Sequence, residues 1–237
     1  MIVLGIDTSG YTNAVGIVDG KKVLADESIP ARTDSLEQIV ANIDDILRKT
    51  GLKLEDVEGI GVGLGPGSWT GIRVGVTVGK MLAFSSGKPV AGIPTLEALA
   101  YAAGETERFI CSVIDVGAGH SVYAGFYRFE DGELVSRNDY FVGTLSELMP
   151  KLEEPCYLVG AEVSKYSGIL SRNFDNDDVI TIEKTPSGAI VAALAEKRLV
   201  KGKGDDVLSL TPLYLKESAA KTLIERYNDE KRYMGEK

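Results

Sequence analysis

Residues 2–24 read IVLGIDTSGYTNAVGIVDGKKVL. An apolar strand over 2–7 ends in Asp7, and a small-residue turn, Thr8-Ser9-Gly10, comes after it. A second strand over 12–18 closes in Asp19-Gly20, and a third runs over 23–28. Short turns of this kind pair the three strands antiparallel. The same order returns later in the chain as Ile114-Asp115-Val116-Gly117, an apolar run over 122–127, Asp131-Gly132 and Leu134-Val135, with the two aspartates 108 residues apart. That offset has the size of a domain rather than of a solenoid repeat. The chain therefore reads as a duplicated α/β unit.

Outward from the first hairpin, Ser35-Leu36-Glu37-Gln38 is a capping box that starts a helix, with Leu36, Ile39, Val40, Ile43, Ile46 and Leu47 on one face and an end near Gly51. A strand over 60–64 leads into residues 63–83, GLGPGSWTGIRVGVTVGKMLA. Gly65-Pro66-Gly67 cannot continue a strand, and Ser68 or Thr70 can accept from the first free N–H groups of the next helix. Such a turn can also present backbone donors to an anion.

Behind the turn, Gly71, Gly75, Gly79 and Ala83 fall four residues apart and form a ridge almost without side chains. Each glycine inside a helix costs about 1 kcal/mol relative to alanine, so another backbone is expected to lie close to the ridge. That backbone belongs either to the same chain or to a partner protein. Further helices are expected over 95–103, 144–152 and 187–201, and short strands over 157–159 and 180–182. The division expected from these segments is an N-terminal lobe over 1–105, a C-terminal lobe over 106–186 and a segment over 187–215 that packs back on the first lobe. A charged tail over 216–237 reads as a mobile helix or a disordered segment.

The composition, with 44% hydrophobic and 26% charged residues among 237, is that of a soluble globular protein. Cys111 and Cys156, the only cysteines, suit a reducing compartment better than a disulfide framework. The N-terminus lacks the basic flank of a signal peptide, and no apolar run reaches membrane-span length, so a cytoplasmic location without membrane contact is expected. A formal net charge of −9 argues against a broad nucleic-acid surface, which needs clustered Lys and Arg. Any RNA role is then delegated to a partner.

No catalytic constellation emerges. The run Gly75 to Met81 is one residue short of a P-loop and has no hydroxyl after Lys80. Ser68 stands where a dinucleotide fingerprint needs its third glycine. Asp7, Thr8 and Ser9 can place a carboxylate near Mg²⁺ and hydroxyls near a phosphate, with Gly65, Gly67 and Ser68 beside them, but Asp-Thr-Ser is also ordinary turn chemistry. The second copy has Asp115 followed by Val116-Gly117-Ala118-Gly119, without polar side chains. His120 is the only histidine, so no metal site is expected, and Cys111 reads as core.

Ile6-Asp7-Thr8-Ser9, then Gly65-Pro66-Gly67-Ser68-Trp69-Thr70-Gly71-Ile72-Arg73, Pro94-Thr95-Leu96-Glu97-Ala98-Leu99 and Pro212-Leu213-Tyr214-Leu215-Lys216 together resemble the TsaB (YeaZ) family over nearly the whole chain. The resemblance implies an actin-like ATPase (ASKHA, ribonuclease H-like) fold of two related lobes. It also implies a non-catalytic subunit of the bacterial machinery that places threonylcarbamoyl on adenosine 37 of ANN-decoding tRNAs. Its implied partner is the catalytic paralogue TsaD, with the ATPase TsaE reached through that pair, while TsaC or its analogue makes the threonylcarbamoyl-adenylate. Such chains pair with TsaD, or with themselves as homodimers, through helices that here cover 35–50 and 70–85.

Mapped on this sequence, the partner interface is expected at Leu36, Ile39, Val40, Ile43, Gly71, Arg73, Val74, Gly75, Val78, Gly79 and Leu82. No resident cofactor is implied, ATP or ADP being confined to the joint interface with TsaD, and tRNA is met indirectly. TsaD-like proteins carry a histidine pair at the start of the first of these helices, where this chain has Arg32-Thr33-Asp34-Ser35. The family's Asp-Ala-Arg-x-x-Glu-like run is reduced here to Asp115. The alternative from another class is a small actin-like Mg-ATP-binding ATPase or kinase using Asp7, Thr8 and Ser9. A peptidase reading lacks any nucleophile or metal set.

Overall fold

The computed structural model describes residues 1–31, 35–116, 121–153, 155–175 and 177–215, the side chains of Ser35 and Leu36 excepted. The first hairpin begins a five-stranded sheet in the order β3-β2-β1-β4-β5. Its strands are β1 (Ile2–Asp7), β2 (Thr12–Asp19), β3 (Lys22–Pro30), β4 (Gly59–Gly63) and β5 (Val90–Ile93). β1 runs antiparallel to β2 and parallel to β4, with Ile6 opposite Val15 on one side and Val62 on the other. β1 sits in the middle of the sheet and is apolar at almost every position because both of its faces are covered. At the edge, β3 is half exposed.

One face of this sheet carries α1 (Ser35–Thr50) and α2 (Trp69–Ser86), whose Ile39, Ile43, Ile46 and Val76 share a core with Leu4, Ile6, Ile17 and Val62. The other face carries α6 (Gly188–Val200), packed through Ala189, Val191 and Ala195 on Val3, Val18 and Ile93. Alternation along β1 sends Leu4 and Ile6 to the first layer and Val3 to the second. α6 comes close enough because the sheet offers glycines beneath it. A methyl group at Gly5 would overlap Gly188 and Ala192, and one at Gly16 would overlap Ala189.

The second sheet repeats the arrangement in the order β11-β10-β6-β7-β8, with β9 added on β7. It comprises β6 (Phe109–Asp115), β7 (Ser121–Glu130), β8 (Glu133–Ser136), β9 (Phe141–Thr144), β10 (Cys156–Gly160) and β11 (Val179–Glu183). β6 and β7 pair antiparallel, as do β7 and β8, whereas β10 runs parallel to β6 and to β11. The two sheets thus share one strand program, as the duplicated hairpin implies, and the chain has the two-lobed actin-like, ribonuclease H-like fold that the family resemblance implies. Between the lobes lies α3 (Thr95–Tyr101), whose Leu96 and Ala100 are buried with Ile110, Tyr127 and Val159 of the second sheet. Arg198 of α6 donates to both oxygens of Glu97 at 2.7 and 2.9 Å and to the Gly92 carbonyl at 2.6 Å.

The sequence signals miss two strands. β5 is four residues long and lies just after a glycine and a proline, and β9 is equally short. The helix expected over 144–152 is one turn of α4 (Leu145–Leu148), capped by Thr144 and Glu147, followed by a 3-10 turn over Met149–Lys151. Pro150 stands in that turn and has no N–H to extend an α-helix. α5 (Ser167–Leu170) completes the second lobe. The capping side chains of Ser35-Leu36, the turn at Gly117 to His120 and the charged tail over 216–237 lie outside the described residues. Among the described residues, no helix is long and apolar enough to cross a membrane.

Candidate functional site

Three strand and turn ends meet at the top of the first lobe. Asp7 ends β1 and is fully buried. Its Oδ1 accepts from the Ser9 amide at 2.8 Å and the Ser9 hydroxyl at 2.6 Å, while Oδ2 accepts from the Thr95 hydroxyl at 2.8 Å. Burial pushes its carboxyl above the ordinary value, against the pull of those hydrogen bonds. Thr8 Oγ1 donates to the Gly71 carbonyl at 2.6 Å, and the Ser68 amide donates to the Ser9 carbonyl at 2.7 Å. Thr95 closes the group through its amide on the Gly65 carbonyl, 2.8 Å. Gly65 and Gly67 both have positive φ, and the Gly65-Pro66 bond is cis.

The same turn is the expected anion site, and several of its hydrogen bonds run within the chain. Ser68 is the N-cap of α2 and accepts from the Gly71 amide, while the Ile72 amide donates to the Ser68 carbonyl. The Ser68, Gly71 and Ile72 amides are thus engaged within the chain, and the turn ties α2 to the end of β1. Of the candidate nucleotide residues, Thr8, Ser9, Gly67 and Ser68 border the cleft between the lobes, whereas Asp7 and Gly65 do not.

That cleft encloses about 840 Å³ and is also bordered by Tyr11, Leu99, Asp115 and Lys165. Lys165 pairs with Asp115 at 2.5 Å, and the Tyr166 hydroxyl donates to Asp115 Oδ2 at 2.7 Å. The hydrogen bond to Asp115 holds the Lys165 ammonium above its ordinary value, and burial, with that same carboxylate beside it, pushes the Tyr166 phenol up. The surviving aspartate of the second hairpin is thus part of a cluster within its own lobe. Among the described residues no group of three His, Cys, Asp or Glu side chains could hold a metal ion.

The helix pair divides the expected interface residues into two sets. Ile39, Ile43 and Val78 are buried in the first lobe's own core, and Val74 and Leu82 pack against it from its margin. The glycine ridge also faces inward. A methyl group at Gly71 would overlap the Thr8 carbonyl, one at Gly75 the Thr8 hydroxyl, and one at Gly79 the Val62 side chain. The close backbone therefore belongs to the same chain, and Gly71, Gly75 and Gly79 do not form a docking ridge. The Leu36 side chain is not among those described.

Val40 and Arg73 remain on the outer face. Val40 is 54% exposed. The exposed apolar side chains of α2 are ones that the glycine spacing does not single out, with Met81 62% and Phe84 65% exposed. Trp69 is half exposed and stacks on Tyr214 with ring centroids 4.3 Å apart. Arg73 lies over the Trp69 ring at 4.5 Å and donates from Nε to the Tyr214 hydroxyl at 2.9 Å. A signal for this face is present in the sequence. Trp69, Arg73, Thr77, Met81 and Phe84 recur at helical spacing on the side opposite the glycines.

The family model described as "TsaD: tRNA N6-adenosine threonylcarbamoyltransferase" matches residues 29–223. The tRNA threonylcarbamoyladenosine biosynthesis protein TsaB of Bacillus subtilis is 25% identical over 225 residues, covering 93% of this chain and 96% of the relative. TsaB of Escherichia coli is 27% identical over 237 aligned residues, with 93% and 96% covered. Among solved structures, YeaZ from Pseudomonas aeruginosa superposes with a TM-score of 0.73 at 24% identity, covering 90% of this chain and 99% of its own, and so has the same fold.

Proposed function

This chain belongs to the threonylcarbamoyltransferase family, in its TsaB (YeaZ) branch, and from that membership we propose that it serves in the synthesis of N6-threonylcarbamoyladenosine on tRNA as a scaffold and activator. In this reading it performs no chemistry itself. It docks the catalytic paralogue TsaD, meets TsaE through that pair, reaches tRNA through the partner and pairs with a second copy when alone. Any ATP or ADP belongs to the joint interface, and the setting is cytoplasmic.

The observation that carries this reading is the outer face of α1 and α2. Val40, Trp69, Met81 and Phe84 leave large apolar side chains in solvent on two adjacent helices, and such patches mark protein contacts. The partners of Asp7, Thr8 and Ser9 support it as well. The groups that an actin-like ATPase would turn toward Mg-ATP are engaged within the chain.

Co-purification with TsaD, followed by a binding titration, tests the assignment. Met81→Asp and Phe84→Asp are each expected to weaken the pair by about 2 kcal/mol or more, roughly thirtyfold, as for anchor residues at interfaces. Unchanged affinity in both variants would sink the proposed face.

A further inference from the structure

We propose that a groove on the α6 side of the first sheet docks an acidic amphipathic helix of a partner protein. The groove encloses about 990 Å³ and runs the length of α6, with the β2-β3 hairpin on one side and the end of β11 on the other. Its floor is apolar. Ile190, Ala193, Lys197 and Val200 fall three or four residues apart, so they share one side of α6, and Val18 and Val23 continue the floor onto β2 and β3. Val23 and Val200 stand 56% and 71% exposed there, as apolar side chains do at a contact site. This face lies on the opposite side of the first sheet from α1 and α2. Both faces can be occupied at once, and the inference does not rest on the docking reading above.

Charge on the rim selects the occupant. Lys21 comes from the turn between β2 and β3, Lys184 from the end of β11, and Lys197 and Lys201 from the last turn of α6. The carboxylates that also border the groove are held within the chain. Asp26 accepts from the Ser187 hydroxyl at 2.8 Å and the Ala189 amide at 3.0 Å, Glu183 accepts from the Ser164 amide at 2.8 Å, and Glu196 pairs with the N-terminal ammonium at 3.1 Å. The cations are less committed. Among the described residues the lysines in ion pairs are Lys49, Lys165 and Lys201, so Lys21, Lys184 and Lys197 have no carboxylate partner, Lys197 lying over the Tyr101 ring at 4.8 Å. Lys201 meets Glu133 at 3.1 Å with both side chains more than half exposed, a surface pair that is easily exchanged. In a chain of net charge −9 the groove is a cationic rim around an apolar floor, and its complement is a helix with an apolar face between acidic edges. Nucleic acid would use the lysines and leave the valine floor without a partner. From Ser187 to Lys201 α6 rises about 21 Å, which sets the docked helix at roughly 14 residues.

The probe is a fluorescent peptide of about 14 residues with leucines at helical spacing and glutamates between them, titrated with the full chain and followed by anisotropy. Two control peptides carry glutamine for every glutamate or serine for every leucine. The chain is also tested as Lys21→Glu with Lys184→Glu and as Val200→Asp, all at exposed positions where folding is spared. Affinity is expected to fall roughly tenfold or more for either control peptide and for either variant, and to fall as salt rises. Met81→Asp, on the other face, is expected to leave it unchanged. No binding by the native chain, equal binding of the serine peptide, or unchanged affinity in both groove variants would overturn the proposal. A loss in Met81→Asp would overturn it as well, by moving the peptide to α2. Tighter binding of a short single-stranded RNA that displaces the peptide would overturn it in favour of nucleic acid. A dimer of this chain that Val200→Asp dissociates, seen by sedimentation, would do so in favour of a second copy.

Discussion

Asp7, the residue on which the alternative Mg-ATP reading turns, has the surroundings of a structural residue. Three hydrogen bonds reach its carboxylate from Ser9 and Thr95, and it is sealed from solvent. Burial raises its pKa above 3.8, so the folded chain keeps this proton to higher pH than the unfolded chain does. Its contribution therefore favours folding below 3.8 and is lost as pH rises through the folded value, at up to about 1.4 kcal/mol per pH unit. Asp7→Asn removes the titration while keeping a polar group of the same shape. The variant is expected to gain stability relative to the native chain as pH rises from about 4, the usual carboxylate range. Urea midpoints of both proteins across that range check it, and a constant difference between them would refute it. The glycines at 71, 75 and 79 teach the same lesson at neighbouring positions, since what excludes a side chain there is Thr8 and Val62 of the same lobe.

At the scale of the element, α2 is a helix with two apolar faces. Its inner face is narrow, built of glycines with Ile72, Val76, Val78 and Ala83, and it rides on β1 and β4. The outer face carries the bulk in Trp69, Met81 and Phe84. A pattern search that equates small residues with a contact surface selects the first face, while the side chains that protrude lie on the second. One pair of substitutions separates them. Val78→Asp places an unpaired carboxylate in the core and is expected to cost about 3 kcal/mol or more, whereas Met81→Asp, less than one turn further on, is expected to shift stability by no more than about 0.5 kcal/mol. Thermal unfolding of the two variants decides it, and a large loss for Met81→Asp would place that side chain inside.

The whole molecule is held together by residues that belong to neither hairpin. α3 buries Leu96 and Ala100 against the second sheet, and Arg198 fastens α6 to Glu97 of that helix and to the Gly92 carbonyl beside it. A forked, charge-assisted contact of this kind fixes direction as well as distance. Arg198→Ala is expected to cost about 2 kcal/mol and to speed amide exchange in α3 ahead of that in β1. Equal protection of both elements in native and variant proteins would show that the lobes are joined by apolar packing alone.

Much of this was legible in the residue order. The twin hairpins around Asp7 and Asp115, the helix boundaries at Ser68 and near Gly51, and the central buried strands come from periodicity and turn chemistry, which act within a few residues. The family motifs added the biological setting. Tertiary structure alone decided what each face meets. It turned the glycine ridge toward Thr8 and Val62, tied the Ser68 amide to the Ser9 carbonyl, and left Met81 and Phe84 in solvent. Sequence fixes which residues share a side of a helix, but which side is buried depends on the layer that packs against it, and that layer comes from strands far away in the chain.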